Sequence, residues 1–361
     1  MDKVLKKKLK LVIIGGSSLS AVGLAHLSAI SLDRRFIVIG AYFSLSEEDR
    51  KKSFEYYNLD SQVINFSSFE ELLKDKDKFD LAINLTPTTC HYEINSKLAL
   101  NNINFISEKA ITTSYQDSKK LLDLCNNKKV YSAVVFNYCA YPAVKYISKL
   151  FKANKFGEII SIELSMHQEG YRRYGLEGSL AKPQDWRLDC PSIDMVSLDL
   201  GVHLLSFCSM IGIELNQSSL FSLKKSNHRL NVIDTVYALA KSTDDYPISF
   251  TYGKSFLGNR NGLQIKIYGS EFSASWEQIK PENIIMSYPD GEITIKDRSI
   301  FKNSSYNERF KVGHPAGFIE ALANFYLDVY YDYNDFLFDK INNCYFSLDN
   351  AVKGMKILEL I

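Results

Sequence analysis

Over roughly the first 140 residues, short apolar runs alternate with stretches of helical periodicity, and that alternation leaves few folds open. "LKLVII" (residues 9–14), "RFIVIGAYFS", "DLAINLTP", "INFISEKA" and "VYSAVVFNY" read as strands. Helical patterns separate them, one after the pair Gly15 and Gly16, others in "EINSKLALNN" and "YQDSKKLLDLCNN". Strands joined in turn by helices of this length form a parallel, doubly wound sheet with crossover connections.

Ligands of such sheets sit at the carboxyl ends of the strands. Residues with chemistry gather there: Gly15, Gly16, Ser17, Leu19 and Ser20, then Ser44, then Thr86, Pro87 and His91, then Glu108 and Lys109. A strand–glycine–helix junction opening a βαβ unit is where a pyrophosphate meets a helix N-terminus. A G-x-G-x-x-G pattern placed on Gly15 wants glycine at positions that hold Ser17 and Ser20. Two readings therefore stand side by side, a dinucleotide-binding turn and a plain tight turn. After the second strand, an acid would select NAD; this chain has Ser44, followed by "LSEEDRKK". The small hydroxyl with Arg50 tilts the expectation slightly from NAD towards NADP, while the same stretch also reads as the solvated first turn of a helix.

Length and composition set the outer bounds. A chain of 361 residues accommodates two cores. The formal net charge of +1 gives no electrostatic reason to expect nucleic acid or an anionic membrane as partner. The six cysteines (90, 125, 139, 190, 208 and 344) are scattered with no C-x-x-C, as in a protein with reduced thiols. The apolar run near the start is too short for a signal peptide, and no stretch approaches the ~18 apolar residues of a membrane span. A cytoplasmic protein is expected.

Beyond about residue 140, strand-like runs at "EIISIELSMH", "VIDTVYALAK", "YPISFTYG", "LQIKIYG" and "EITIKD" flank one apolar helical segment, "SLDLGVHLLSF". That segment carries Asp199 and His203, four residues apart and so on one face of a helix. The pair is open to three readings: a satisfied structural pair, two ligands of a metal, or a carboxylate orienting an imidazole for acid–base chemistry. The local sequence offers no third metal ligand.

In order along the chain, "GGSSLSAVGLAH", "NLTPTTCHYEINSKLAL", "NFISEKAITTS", "FNYCAYPAVKYISKLFKANKFGEIISIEL", "DWRLD", "DLGVHLLSF" and "GHPAGFIEALANFY" resemble the glucose–fructose oxidoreductase / inositol dehydrogenase / MocA family, in its sugar dehydrogenase-like branch. The resemblance implies a Rossmann domain over 1–136. An α/β domain with a large open, mostly antiparallel sheet would follow over 137–361, its last helix packing back on the first domain. It implies homodimers or homotetramers through the open sheet, and an NAD(P)-dependent oxidoreductase acting on a secondary hydroxyl of a sugar, polyol or sugar derivative. The motif Glu108–Lys109–Ala110 stands for the family's E-K-P, and Lys109 would polarise the reacting oxygen. "DLGVH" matches the family's Asp-x-x-x-His helix, with His203 as base and Asp199 holding substrate or imidazole. Asn137 is carried over as a cofactor contact, and Tyr138, Gln168, Trp186 and Arg187 as substrate contacts.

Two departures bear on function. Ser17 stands where the backbone approaches the pyrophosphate, and Ala110 replaces the proline after the lysine. They keep a rival in view, a non-catalytic dinucleotide-binding or scaffold protein on the same fold.

Overall fold

The structure, a computed structural model, describes residues 7–175, 177–189, 191–300, 309–314, 316–338 and 344–361. Cys190 and Pro315 lie outside the described residues. The chain divides into two compact units. One comprises Met1–Thr112, Gln116–Asn137 and Phe318–Val352; the other comprises Thr113–Tyr115, Tyr138–Gly317 and Lys353–Ile361.

The first unit alternates strands and helices: β1 (Leu9–Gly15), α1 (Gly23–Leu32), β2 (Phe36–Tyr42), α2 (Glu47–Tyr56), β3 (Ile64–Asn65), α3 (Phe69–Lys74), β4 (Leu81–Leu85), α4 (Thr88–Leu100), β5 (Phe105–Ser107), α5 (Tyr115–Lys128) and β6 (Ser132–Val134). The six strands pair in parallel in the order β3-β2-β1-β4-β5-β6, and the order of winding reverses between β1 and β4. Leu11, Val12 and Ile13 are fully buried, since helices cover both faces of a parallel sheet. Each such side chain contributes about 1.5–3 kcal/mol by leaving water.

At the C-terminal end the division differs from the expected 137–361 block. Helix α8 (Phe318–Phe336) belongs to the first unit and packs on α1. The cause is aromatic: Tyr326 and Tyr330 both set their rings edge-on to Phe36 of β2 at 5.8 Å, and Asn104 donates to Tyr333 Oη at 3.1 Å. The last helix, α9 (Leu348–Leu360), is shared between the two units.

The second unit holds α6 (Pro142–Lys152), β7 (Ile159–His167), α7 (Val202–Ile211), β8 (Leu215–Asn227), β9 (Val232–Ser242), β10 (Pro247–Gly253), β11 (Gly262–Gly269), β12 (Ser273–Glu277), β13 (Ile284–Ser287) and β14 (Ile293–Lys296). These strands form one sheet in the order β14-β13-β12-β11-β7-β10-β9-β8. β7 and β10 run parallel; the other pairs are antiparallel. One face, with Ile162, Leu164, Phe250, Ile265 and Trp276, is buried, α6 packing on β12 and α7 on β7. The other face exposes Phe221, Leu223, Tyr237 and Leu239 at one edge and Ile285, Ile293 and Ile295 at the other. No helix among the described residues is long and apolar enough to cross a membrane.

Candidate functional site

In the first unit, the candidate residues line the carboxyl edge of the parallel sheet. Gly15 and Gly16 take φ of +73° and +72°, which disfavours any side chain, and a Cβ on Gly15 would lie 2.7 Å from Thr86 N. After this turn the chain runs six residues before α1. Its cap, Val22, supplies no side-chain acceptor, so the first N–H groups of α1 carry no side-chain cap. The turn is held from α2: Tyr57 Oη lies 2.8 Å from both Gly16 O and Ser17 O, its single proton serving one at a time, and Ser18 N donates to Ser53 Oγ at 3.0 Å. Burial pushes the Tyr57 phenol up to about 12, so it stays a donor. Ser20 Oγ accepts from Val22 N, and Leu19 is exposed.

The next two strand ends are tied together by a buried polar chain. Asn84 Nδ2 donates to Asn95 Oδ1, and Asn95 Nδ2 donates to Ser107 Oγ, both at 2.9 Å. Asn84 Oδ1 in turn accepts from Thr86 N and Oγ1, and Ser107 Oγ donates to Glu108 O. Thr86 and Glu108 are thereby fixed beside the glycine turn. Pro87 opens α4. The Lys109–Ala110 peptide bond is cis, with Ala110 buried. Asn137 is buried just past β6, and its Nδ2 has no hydrogen-bond partner among the described residues. A glycine turn without side chains, an uncapped helix N-terminus and an unpartnered amide donor fit an anionic dinucleotide.

Three of the residues assigned to the cofactor from sequence make internal contacts. His91 is fully buried, with its ring nitrogens on Ala110 O (2.6 Å) and Thr86 O (2.8 Å), so it braces the two loops and offers no nitrogen outward. Burial pushes its imidazole below the usual value, against the opposing pull of the two carbonyls. Arg50 is buried and turned back, donating to Ser44 O and Leu45 O at 2.9 Å, rather than standing ready for a phosphate. Lys51 and Lys52 pair with Glu47 and Glu48 on the same helix. Glu108 Oε1 takes the Nε2 of His26 at 2.9 Å, while Oε2 accepts from Lys109 N. Tyr326 Oη lies 2.5 Å from His26 Nδ1. Burial works to raise the Glu108 carboxyl, but the hydrogen bond and charge of His26, with Lys109 and His91, hold it below the usual carboxylate value.

In the second unit, the segment expected to be a regular helix opens with a π-helical turn over Ser197–Gly201 and becomes α-helical at Val202. Such turns mark functional positions often. Packing is close here: a Cβ on Gly201 would lie 2.9 Å from Leu358 Cδ2, and Ser197 Oγ is bonded to Tyr252 Oη at 2.9 Å. Asp199 therefore leaves the helix from the widened turn. Its Oδ2 is bound by Arg187 Nη1 and by Lys254 Nζ, the latter at 2.5 Å. Arg187 also lies over the Trp186 ring, 4.3 Å from its centroid. His203 is buried, and the Tyr138 ring meets it edge-on at 4.5 Å. Gln168 donates to Asn261 Oδ1 at 2.9 Å, and Asn261 donates to Tyr138 Oη at 2.7 Å. His167 stacks on Phe256 and His314 uses its carbonyl to accept from Arg298. Among the described residues, no three His, Cys, Asp or Glu side chains form a metal-binding group.

Sequence reasoning missed His26, Asn84, Asn95, Ser107, Lys254 and Asn261. The first four carried a signal, a polar residue inside an apolar strand or helix face; the last two sit in polar stretches with none.

Taken alone, the first unit's strand order and glycine turn define the class: a nucleotide-binding fold of the Rossmann type. The family follows from the sequence comparisons. Residues 9–136 match the oxidoreductase family with an NAD-binding Rossmann fold, and residues 144–275 match the Gfo/Idh/MocA C-terminal domain. The chain belongs to the Gfo/Idh/MocA oxidoreductase family. It is 22% identical over 339 residues, 90% of this chain and 86% of the other, to the uncharacterized oxidoreductase YfiI of Bacillus subtilis (strain 168). Its fold is shared with an inositol dehydrogenase homolog from Azotobacter vinelandii solved with NADH and myo-inositol (TM-score 0.85, 17% identity, 98% of this chain and 94% of that one). A levoglucosan dehydrogenase solved with NADH and levoglucosan also shares it (TM-score 0.81, 16% identity, 98% and 96%).

Proposed function

We propose that this oxidoreductase is an NAD-dependent dehydrogenase of a sugar or polyol, oxidising a secondary hydroxyl. One observation carries the reading: the glycine turn, Thr86 and Glu108–Lys109 share the carboxyl edge of a sheet whose order reverses between β1 and β4. A bound nicotinamide supplies the hydride acceptor. The chain supplies position and proton handling. Gly15, Gly16 and the first turn of α1 would hold the pyrophosphate. Lys109, its main chain fixed by Glu108, stabilises charge on the reacting oxygen, and His203 takes the hydroxyl proton on its imidazole. Asp199, ionised beside Arg187 and Lys254, orients the polyol.

The contacts of α2 favour NAD over NADP. Arg50 is turned onto carbonyls, Lys51 and Lys52 are balanced by Glu47 and Glu48, and Asp49 adds a further negative charge to the first turn beside Ser44, which disfavours a 2′-phosphate. The dehydrogenases of known structure named above, bound to inositol and levoglucosan, support the polyol class. The apolar edges of the open sheet face support a homo-oligomer, which light scattering measures.

Titration of intrinsic and nucleotide fluorescence with NADH and with NADPH tests the cofactor, and a panel including myo-inositol and levoglucosan with NAD tests the reaction. NADH is expected to bind at least about tenfold tighter than NADPH, about 1.4 kcal/mol. Binding of neither nucleotide would refute the dehydrogenase reading and leave the scaffold alternative.

A further inference from the structure

β7 and β10 are the parallel pair in the second sheet, in register from Ile162 opposite Ile248 to His167 opposite Gly253. Parallel neighbours end side by side, so the residues just past them leave the sheet at the same end. Those residues are Gln168 and Lys254. Their main chains are pinned: Gln168 N donates to Gly253 O at 2.8 Å, Lys254 N to Asp234 O at 2.9 Å, and Tyr171 N to Lys254 O at 2.8 Å. Lys254 is 8% exposed, an unusual place for an ammonium, and its Nζ is shared between Asp199 Oδ2 at 2.5 Å and Gln168 Oε1 at 3.2 Å. A lysine offers three rotatable donors, which suits one cation serving a carboxylate and a carboxamide at once.

From Gln168 the chain of contacts continues through Asn261 to the Tyr138 hydroxyl, and the Tyr138 ring stands edge-on to His203. We propose that Lys254 is the positioning residue of this site, joining Asp199 to the Gln168–Asn261–Tyr138 support of His203 through one ammonium. The role of His203 as base rests on the function proposed above; the mechanical link does not. Without the ammonium, Asp199 keeps only Arg187 of these two partners, and the Gln168 amide loses its fixed orientation. Tyr138 then loses part of the support that orients it against the imidazole.

The test compares the full-length protein with Lys254→Met, Lys254→Arg and Asn261→Ala. The histidine ring protons are followed by NMR, and the His203 signal is assigned by its disappearance in His203→Gln. Lys254→Met and Asn261→Ala are expected to shift the His203 signal in the same sense, and Lys254→Arg to return most of the shift. A His203 signal unmoved in Lys254→Met, or moved equally in Lys254→Arg, overturns the proposal. Should Lys254→Met fail to fold, Gln168→Ala takes its place, since it removes the group through which Lys254 reaches Asn261; an unmoved His203 signal there overturns the proposal. With a polyol that turns over, Lys254→Met is expected to lower kcat/KM about 100-fold, mostly through kcat, as about 1 Å of misplacement does, and Lys254→Arg to recover most of it. A protein that binds no NADH refutes the dehydrogenase reading and leaves the NMR result standing on its own.

Discussion

Gly23→Ala probes the close approach on which the nucleotide turn depends. Its added Cβ would lie 2.2 Å from Gly16 O and 2.3 Å from Tyr57 Oη, against 3.4 Å or more for ordinary contact. Gly16 O is main chain, so α1 and the turn must separate by roughly 1 Å, and overpacking of this kind costs about 1–3 kcal/mol. Moving Tyr57 off the Gly16 and Ser17 carbonyls costs about 1 kcal/mol more. The better helix propensity of alanine returns about 0.5–1 kcal/mol. The net expectation is a loss of about 1–3.5 kcal/mol in urea unfolding, with NADH affinity down about tenfold. Gly354→Ala in α9 is the control, since its Cβ would meet only Leu205 Cβ at 3.5 Å, and it should be neutral or stabilising by up to about 1 kcal/mol. A Gly23→Ala protein within about 0.5 kcal/mol of the unaltered one, with unchanged NADH affinity, would refute the packing argument.

Other perturbations test the supports of the site. Burial is the largest single influence on Glu108 and raises it, but the hydrogen bond and charge of His26 with Lys109 and His91 together depress its folded-state value, so its contribution is present above pH 4.5 and lost as pH falls through the lowered value. Glu108→Gln should therefore lose about 1.5–3 kcal/mol at neutral pH and show a flatter acid limb in urea melts between pH 3 and 6; parallel limbs would contradict the assignment. Asn95→Leu strands Asn84 Nδ2 and removes one partner of Ser107, for an expected loss of about 2–4 kcal/mol by denaturation. His203→Asn should lower kcat/KM with an active polyol by about 10²–10⁴ while NADH binding stays the same; a loss below tenfold would move the base elsewhere.

Much of this molecule is legible from local pattern. The run at residues 11–14 is apolar on both faces because parallel strands are covered twice, and two glycines end it because positive φ excludes other residues. The same local logic misplaced other groups. Arg50 reads as a surface cation until the carbonyls of Ser44 and Leu45 are seen to take its guanidinium. His91 reads as a ligand-facing imidazole until Thr86 O and Ala110 O are seen to occupy it. Gly23 carries no turn signal of its own; it is required by the approach of Gly16 and Tyr57. Helix α8 follows the second sheet in the chain, yet it belongs to the first compact unit through its aromatic packing on β2.

By itself the sequence determined the alternation of strand and helix, the glycine turn, and the candidate groups Lys109, Asp199 and His203, because periodicity, φ preference and side-chain identity are local properties. The tertiary structure decided which of those groups are held, turned inward or paired. Lys254 lies 55 residues beyond Asp199, Tyr326 lies 300 beyond His26, and only the pairing of β7 with β10 and the packing of α8 on α1 bring them together.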